Sequence, residues 1–285
     1  MVRVVDVVTF FNELDLLEYR LRYMSPHVDT FVIVEATTSF IGNPKPKVFD
    51  EKRFSEWMDK IKYVQVVLPQ TKEELAKYDR AVSRNQCGDA WIREYAQREA
   101  CRDAVMALGL DDGDIVLSSD VDEMPNLPAV FRRFNPRAVN VLRQHMFNQC
   151  IHMYRSCWPW SMASATCYSV YKQYHPDQLR LHLGLKHPLN YIDDAGWHFS
   201  YFGSATRMHV KMNNFSHQEE AVQQYNKLEH LRSCVKNHVF HRYDVNDRGT
   251  HHDVLKGDLS DFKGTKPPLL DEALTRFAYC AVEDL

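Results

Sequence analysis

The stretch that most limits how this chain can fold is Asp114 to Pro125, DIVLSSDVDEMP. An apolar run of Ile115, Val116 and Leu117 is closed by Ser118 and Ser119, and Asp120, Asp122 and Glu123 follow at once. A short apolar run bounded by polar residues reads as a strand buried in a parallel sheet. Ligands of open α/β sheets bind outside the carboxyl ends of the strands, which is where these acids fall. Bare carboxylates so close together repel one another. A divalent cation held by Asp120 and Asp122 relieves that repulsion, and hard oxygen ligands suit Mg²⁺ or Mn²⁺. The competing reading is a solvated acidic turn; the strand in front and Pro125 behind weigh against it.

The residues before this strand build toward the same edge. Val2 to Phe10 is rich in β-branched residues, and Asp29 to Glu35 is a second strand that ends in an acid. Between them Leu14, Leu17, Leu21 and Met24 fall at helical spacing, with Asn12 placed to cap the helix and Asp15 completing a weak capping box. Strand, helix and strand with short links imply a right-handed parallel unit. Glu35 then reaches the edge of Asp120, either as an acid for a ribose or base or as a loop acid. FIGNPKPK, 40–47, is a loop punctuated by glycine and prolines. A short helix over 54–60, a strand over 61–68 and a long polar loop over 69–88 follow.

Asp89 to Leu108 is the clearest helix. Ala100, Ala104 and Leu108 mark an inward stripe, and stepping back along it leads to Gln97 and Arg93 beside the acids. A buried guanidinium needs an anionic partner, so Arg93 is expected to serve the acids or a phosphate. Arg98 lies within reach of a phosphate as well.

Beyond Pro125, residues 139–170 hold apolar runs crowded with Phe147, Tyr154, Trp158, Trp160 and Tyr168, which predicts antiparallel or mixed strands. YIDDAGWHFSYFG, 191–203, reads as a turn carrying Asp193 and Asp194 and entering a strand at Gly196, with Lys211 and His217 further on. One amphipathic helix is expected over 215–237, a polar tail with His251, His252 and Asp253 over 244–268, and a last helix over 269–282.

Composition excludes several functions. A net charge of -3 offers no basic field for nucleic acid or for a membrane surface. The seven cysteines show no C-x-x-C pair and sit among apolar neighbours, as reduced core thiols do. Arg3 and Asp6 interrupt the N-terminal apolar run, and no run reaches membrane-spanning length. The expectation is a soluble cytoplasmic protein whose 285 residues form one domain.

FFNELDLLEYRL, VDTFVIVEATTSFIGNPKPK, REYAQREA, DIVLSSDVDEMP and GWHFSYFG, in that order, resemble glycosyltransferase family 17. This is the group of the bisecting β-1,4-N-acetylglucosaminyltransferase of N-glycans, and the resemblance spans roughly residues 4–217. It implies a GT-A-like α/β domain with a mostly parallel central sheet flanked by helices and a mixed, aromatic-rich C-terminal half. Residues 1–125 would bind the nucleotide sugar and 126–285 the acceptor. The resemblance further implies an inverting, Mn²⁺- or Mg²⁺-dependent transfer from a UDP-sugar to a hydroxyl of a glycan or glycoprotein. As a soluble viral or bacterial relative, the chain would use UDP-GlcNAc or another donor such as UDP-xylose. Phe11, Asn12, Glu35, Arg93, Gln97, Arg98, Ser119, Asp120, Val121, His198 and Lys211 are the expected donor contacts, and Asp120 with Asp122 the metal pair. Asp194 is the first choice for the base and Asp193 the second, with Glu123 and Glu219 as rivals. His198 reads as a metal ligand, a diphosphate contact or a strand histidine, and His251 with His252 as a lid. Two other classes remain: a metal-dependent nucleotidyltransferase or phosphohydrolase, and a catalytically dead glycan- or nucleotide-binding protein.

Overall fold

The leucine stripe and the β-branched runs take the structures their periods demand. In the computed structural model, which describes residues 1–78, 88–155, 159–237, 254–256 and 262–277, β1 (Val4–Phe10), α1 (Leu14–Met24), β2 (Thr30–Ala36) and β3 (Ile61–Val66) come first. A short α2 (Lys72–Leu75) precedes the long α3 (Asp89–Met106), which leads back to β4 (Ile115–Asp120) and the short β5 (Glu123–Pro125). Then come α4 (Leu127–Arg133), β6 (Val139–Asn148), β7 (Cys150–Arg155), β8 (Trp160–Cys167), α5 (Tyr168–Tyr171) and α6 (Pro176–Leu181). β9 (Leu189–Ile192), β10 (Gly196–Ser200), α7 (Ala205–Asn214), α8 (Glu220–Gln223), α9 (Leu228–Asn237), β11 (Val254–Lys256) and α10 (Leu270–Phe277) follow.

The central strands lie in the order β11-β7-β6-β8-β4-β1-β2-β3. β1, β2, β3 and β4 are parallel, as the strand-helix-strand reading requires. The expectation of a mostly parallel sheet is overturned beyond β4. β8 runs antiparallel to both β4 and β6, and β7 and β5 are antiparallel to β6 and β10. β9 and β10 restore parallel pairing with β6, so the sheet is mixed. Since β8 opposes both its neighbours, β6 and β4 point the same way. The carboxyl ends of β1, β2, β4, β6 and β10 therefore gather at one edge, together with the start of β8.

Period-two alternation divides the buried side chains between the faces of the sheet. Val8, Phe10, Ile33 and Leu117 pack with Leu17, Leu21 and Met24 of α1. Val5, Val7, Val32, Val34 and Val116 pack with Cys101, Ala104 and Val105 of α3. Arg20 lies fully buried within the first layer. It binds Asp6 through two bonds of 2.7 and 2.6 Å, Ser119 Oγ at 2.7 Å and the Glu123 carbonyl at 2.8 Å. A buried charge left unpaired is costly, so this pairing fixes the turn between β4 and β5.

Three local expectations differ. Asn12 does not cap α1; Glu13 holds the N-cap position, and its carboxylate accepts the Phe11 and Asn12 N–H groups at 3.2 and 3.1 Å. The helix expected over 215–237 is replaced by α8 and α9, and Phe215, extended, closes α7, whose own start is capped by Ser204 Oγ accepting the Arg207 N–H at 3.1 Å. The strand expected over 61–68 stops at Val66. Residues 262–265 cross the sheet, where Phe262 is buried beside Phe147 and Tyr154, and Trp197 Nε1 donates to the Thr265 carbonyl at 2.8 Å. Trp158, His251, His252 and Asp253 lie outside the described residues. No helix among the described residues is long and apolar enough to cross a membrane.

Candidate functional site

The common strand edge surrounds a cavity of ≈ 280 Å³. β1 supplies Thr9, Phe10 and then Phe11; the turn after β4 supplies Asp120, Val121 and Asp122; α3 supplies Glu94, Gln97 and Arg98. From the mixed half come Met146 and Asn148 of β6, His198 and Ser200 of β10, Trp160 at the start of β8, Arg180 of α6 and Lys211 of α7. Alternation explains this selection. β6 and β10 are in register at Met146–His198 and Asn148–Ser200, so these four share one face while Phe147 and Phe199 turn into the core.

Asp120 is held from two sides, by Arg98 Nη1 at 2.8 Å and Arg180 Nη2 at 2.7 Å. Thr9 Oγ1 donates to it at 3.1 Å. Burial by itself raises a carboxyl pKa, but Arg180 and Arg98 more than offset it and hold Asp120 well below the usual range. Arg98 also pairs with Glu94 at 2.8 Å and Asp177 at 3.1 Å. Burial pushes Asp177 up to about 6, against the opposing pull of Arg98. Glu123, fully buried, accepts Arg180 Nη1 at 2.8 Å, Trp160 Nε1 at 2.5 Å and the Asp120 N–H at 2.9 Å.

Asp122 has a different environment. Lys211 Nζ donates to its Oδ2 at 3.0 Å, and His198 Nε2 stands 3.7 Å from its Oδ1. Burial opposes ionisation here too, yet Lys211 and His198 outweigh it and keep the carboxylate charged well below its ordinary pKa. Among the described residues no group of three or more histidine, cysteine, aspartate or glutamate side chains converges on a metal position. The donor set nonetheless fits a hard divalent ion completed by substrate oxygens and water. Two ligands each ~2.1 Å from a shared Mg²⁺ can stand up to ~4.2 Å apart, and the His198–Asp122 gap falls inside that span. His198 Nδ1 is buried without a hydrogen-bond partner. Asp120 fits less well, because both its oxygens already face guanidinium groups.

The sequence-predicted residues divide accordingly. Phe11, Gln97, Arg98, Asp120, Val121, Asp122, His198 and Lys211 line the cavity. Asn12 and Ser119 do not; the Ser119 hydroxyl is taken by Arg20. Glu35 is fully buried, where the Val48 and Phe49 N–H groups, Lys45 and Tyr63 occupy its carboxylate; it is a loop anchor. Arg93 meets neither the acids nor the cavity. Its Nε donates to the Pro69 carbonyl at 3.0 Å and its Nη1 to the Phe40 carbonyl at 3.0 Å. The expected anionic partner is replaced by two backbone carbonyls.

Asp194 lies in the turn before β10, with φ 57°, ahead of the strand's first residue Gly196, while the opposite, carboxyl end of β10 reaches the cavity. Its carboxylate accepts His145 Nε2 at 2.6 Å, the Thr265 N–H at 3.0 Å and the Thr265 hydroxyl. Asp193 pairs with Arg143 at 2.7 Å on the surface. Neither lines the cavity, and neither do Glu123 and Glu219. Among the lining residues left unassigned by sequence are Trp160, hidden in an aromatic crowd, Arg180, isolated in a short helix, and Asn148. Of these, Asn148 carried a faint signal, as the polar residue that follows Met146 and Phe147 in a strand-like run.

Comparison with known proteins adds one finding. The model described as Glycosyltransferase family 17 matches residues 1–247. No curated protein matches the chain.

Proposed function

The chain belongs to glycosyltransferase family 17, and from that premise we propose that it moves a sugar from a UDP-sugar to a glycan hydroxyl with inversion, at a GT-A-like site that uses Mn²⁺ or Mg²⁺. The observation that carries this reading is the meeting of Asp122, His198 and Lys211 in a cavity at the carboxyl ends of the strands. Asp122 and His198 would hold the ion. A divalent ion bound there supplies Lewis acidity toward a leaving diphosphate. Lys211 contributes a positive charge from the other half of the chain, already beside Asp122. Arg98 and Arg180 hold Asp120 ionised and fixed, ready to accept hydrogen bonds from a donor hydroxyl. Phe11 and Gln97, on the β1–α3 side, suit the nucleoside, and the aromatic and polar wall of β6, β8 and β10 suits sugar rings. The proton of the acceptor hydroxyl needs a base within hydrogen-bond reach. Asp193 and Asp194 stand outside the cavity and are not retained for that role. No glycine among the described residues lines the cavity, so nothing favours a phosphate-loop enzyme as the second reading.

Thermal unfolding with UDP, UDP-GlcNAc, UDP-xylose and their GDP counterparts, each with and without Mn²⁺, tests the proposal. A donor at a hundred times its Kd adds about 2.7 kcal/mol. The expected result is stabilisation by a UDP-sugar that Mn²⁺ strengthens, and that Asp122→Ala or His198→Ala makes indifferent to Mn²⁺. Absence of any shift with every sugar nucleotide, in the presence of Mn²⁺, overturns it.

A further inference from the structure

Asn148 closes β6 at the cavity edge, opposite Ser200 of β10. Its side chain is fully buried, it lines the cavity, and neither its amide nitrogen nor its amide oxygen has a hydrogen-bond partner. Buried polar side chains are rarely left so, and a leucine would fill the same place without that cost. An amide presents two donors and an acceptor, the complement of neighbouring hydroxyls on a ring. Its place across the sheet gives the direction. Asp122 and Lys211 lie at the β4 end, Phe11 lies on the β1 side, and Asn148, Ser200 and Trp160 lie on the β8–β6–β10 side. A ligand with its diphosphate at Asp122 and its nucleoside toward β1 sends its sugar toward Asn148.

We infer that Asn148 is the residue that reads the hydroxyls of the transferred sugar, and so sets which UDP-sugar is used. This rests on the UDP-sugar reading above. Asn148 is a specificity residue; it holds no metal and moves no proton. Gln144, two steps of the alternation further back on β6, is also fully buried with both amide atoms unpartnered, but it does not line the cavity and carries no such role.

Calorimetric titration of the full chain with UDP, UDP-GlcNAc and UDP-xylose in Mn²⁺, alongside unliganded thermal unfolding, tests this with Asn148→Leu and Asn148→Ala. UDP should bind both variants within about twofold of the wild type, while the preferred UDP-sugar loses about tenfold or more in affinity and the gap between the two sugars narrows. Unliganded Asn148→Leu should melt no lower than the wild type, since it removes an unsatisfied amide. Wild-type affinity for the UDP-sugar in both variants would mean that the amide serves a fixed water, and overturns the inference. Equal losses for UDP and UDP-sugar, or a lower melting temperature in both variants, overturn it as well. A wild-type protein that binds neither UDP nor any UDP-sugar overturns the UDP-sugar reading itself, and this inference with it, a result recognisable without any variant.

Discussion

Lys211 and Asp122 meet at 3.0 Å although 89 positions separate them in the chain. One stands on α7, in the mixed half, and the other in the turn that closes the parallel half. The cavity is therefore assembled from both halves, and its charge balance depends on how they are joined.

The ammonium of Lys211 occupies ground beside Asp122 that a cation would share. Lys211→Met removes that competitor, so Mn²⁺ should bind the nucleotide-free protein more tightly, by up to about tenfold for a close like charge in a partly buried site. Affinity for UDP should move the other way, because a phosphate partner is gone. Mn²⁺ titration followed by electron paramagnetic resonance reads the first effect and calorimetry with UDP the second; unchanged Mn²⁺ affinity would remove Asp122 from the metal site.

Arg93 ties the segment around Phe40 to that around Pro69. Hydrogen bonds from a charged donor contribute ~1.5–3 kcal/mol each, so losing both in Arg93→Ala should cost about 3–6 kcal/mol of unliganded stability. UDP affinity of the folded fraction should stay near that of the wild type. Chemical denaturation and calorimetry separate the two quantities, and a stable variant that has lost UDP binding contradicts the loop-anchor role.

Asp194 fastens residues 262–265 to the sheet through Thr265 and His145. Burial raises its pKa, but the Thr265 bonds and His145 outweigh burial and leave it lowered. A lowered carboxylate adds stability above its unfolded pKa of ~3.9, and that stability disappears as pH falls through the folded value. Asp194→Asn should therefore expose the 262–277 segment to limited proteolysis at pH 7 and leave sugar transfer within about threefold, far short of the ~10²–10⁴ loss expected of a base. A loss of that larger size with the segment still protected would restore Asp194 to the chemistry.

Asp177 works in the opposite sense. It is raised to about 6 by burial, in a pocket it shares with Arg98, Arg180, Glu94 and Asp120. A folded state that binds the proton more tightly than the unfolded chain loses stability as pH rises from about 4 to about 6. Asp177→Asn should flatten that part of the stability profile. Denaturation curves at stepped pH check the sign, and an unchanged slope would mean that Asp177 is ionised throughout.

The parallel half was legible because each signal was local. The stripe of Leu17, Leu21 and Met24, the β-branched runs and the acids after Leu117 all depend on neighbours in sequence. α3 was legible as a helix but not in its orientation. It buries residues all round, among them Trp91, Ile92, Arg93, Ala96, Gln97 and Arg98, so no single polar face marks the cavity side. The mixed half hid its role for a different reason. Met146, Asn148, His198 and Ser200 become neighbours only through the β6–β10 register, which no local pattern announces. Asp193 and Asp194 drew attention as paired acids before a strand, but they sit in the turn before the start of β10, and the other end of that strand reaches the site.

Gly196 shows how far that register can be disturbed from outside the cavity. Its φ is 145°, and a Cβ added there would stand 2.2 Å from the Met124 carbonyl oxygen. The collision falls within the β5–β10 ladder, where Gly196 faces Pro125 and His198 faces Glu123. Any side chain at 196 would force those two strands apart and carry His198 off its alignment with Asp122. Substitution at a residue that touches no ligand would then mimic loss of the ion site, so a screen for inactive variants should recover position 196 alongside positions 122 and 198.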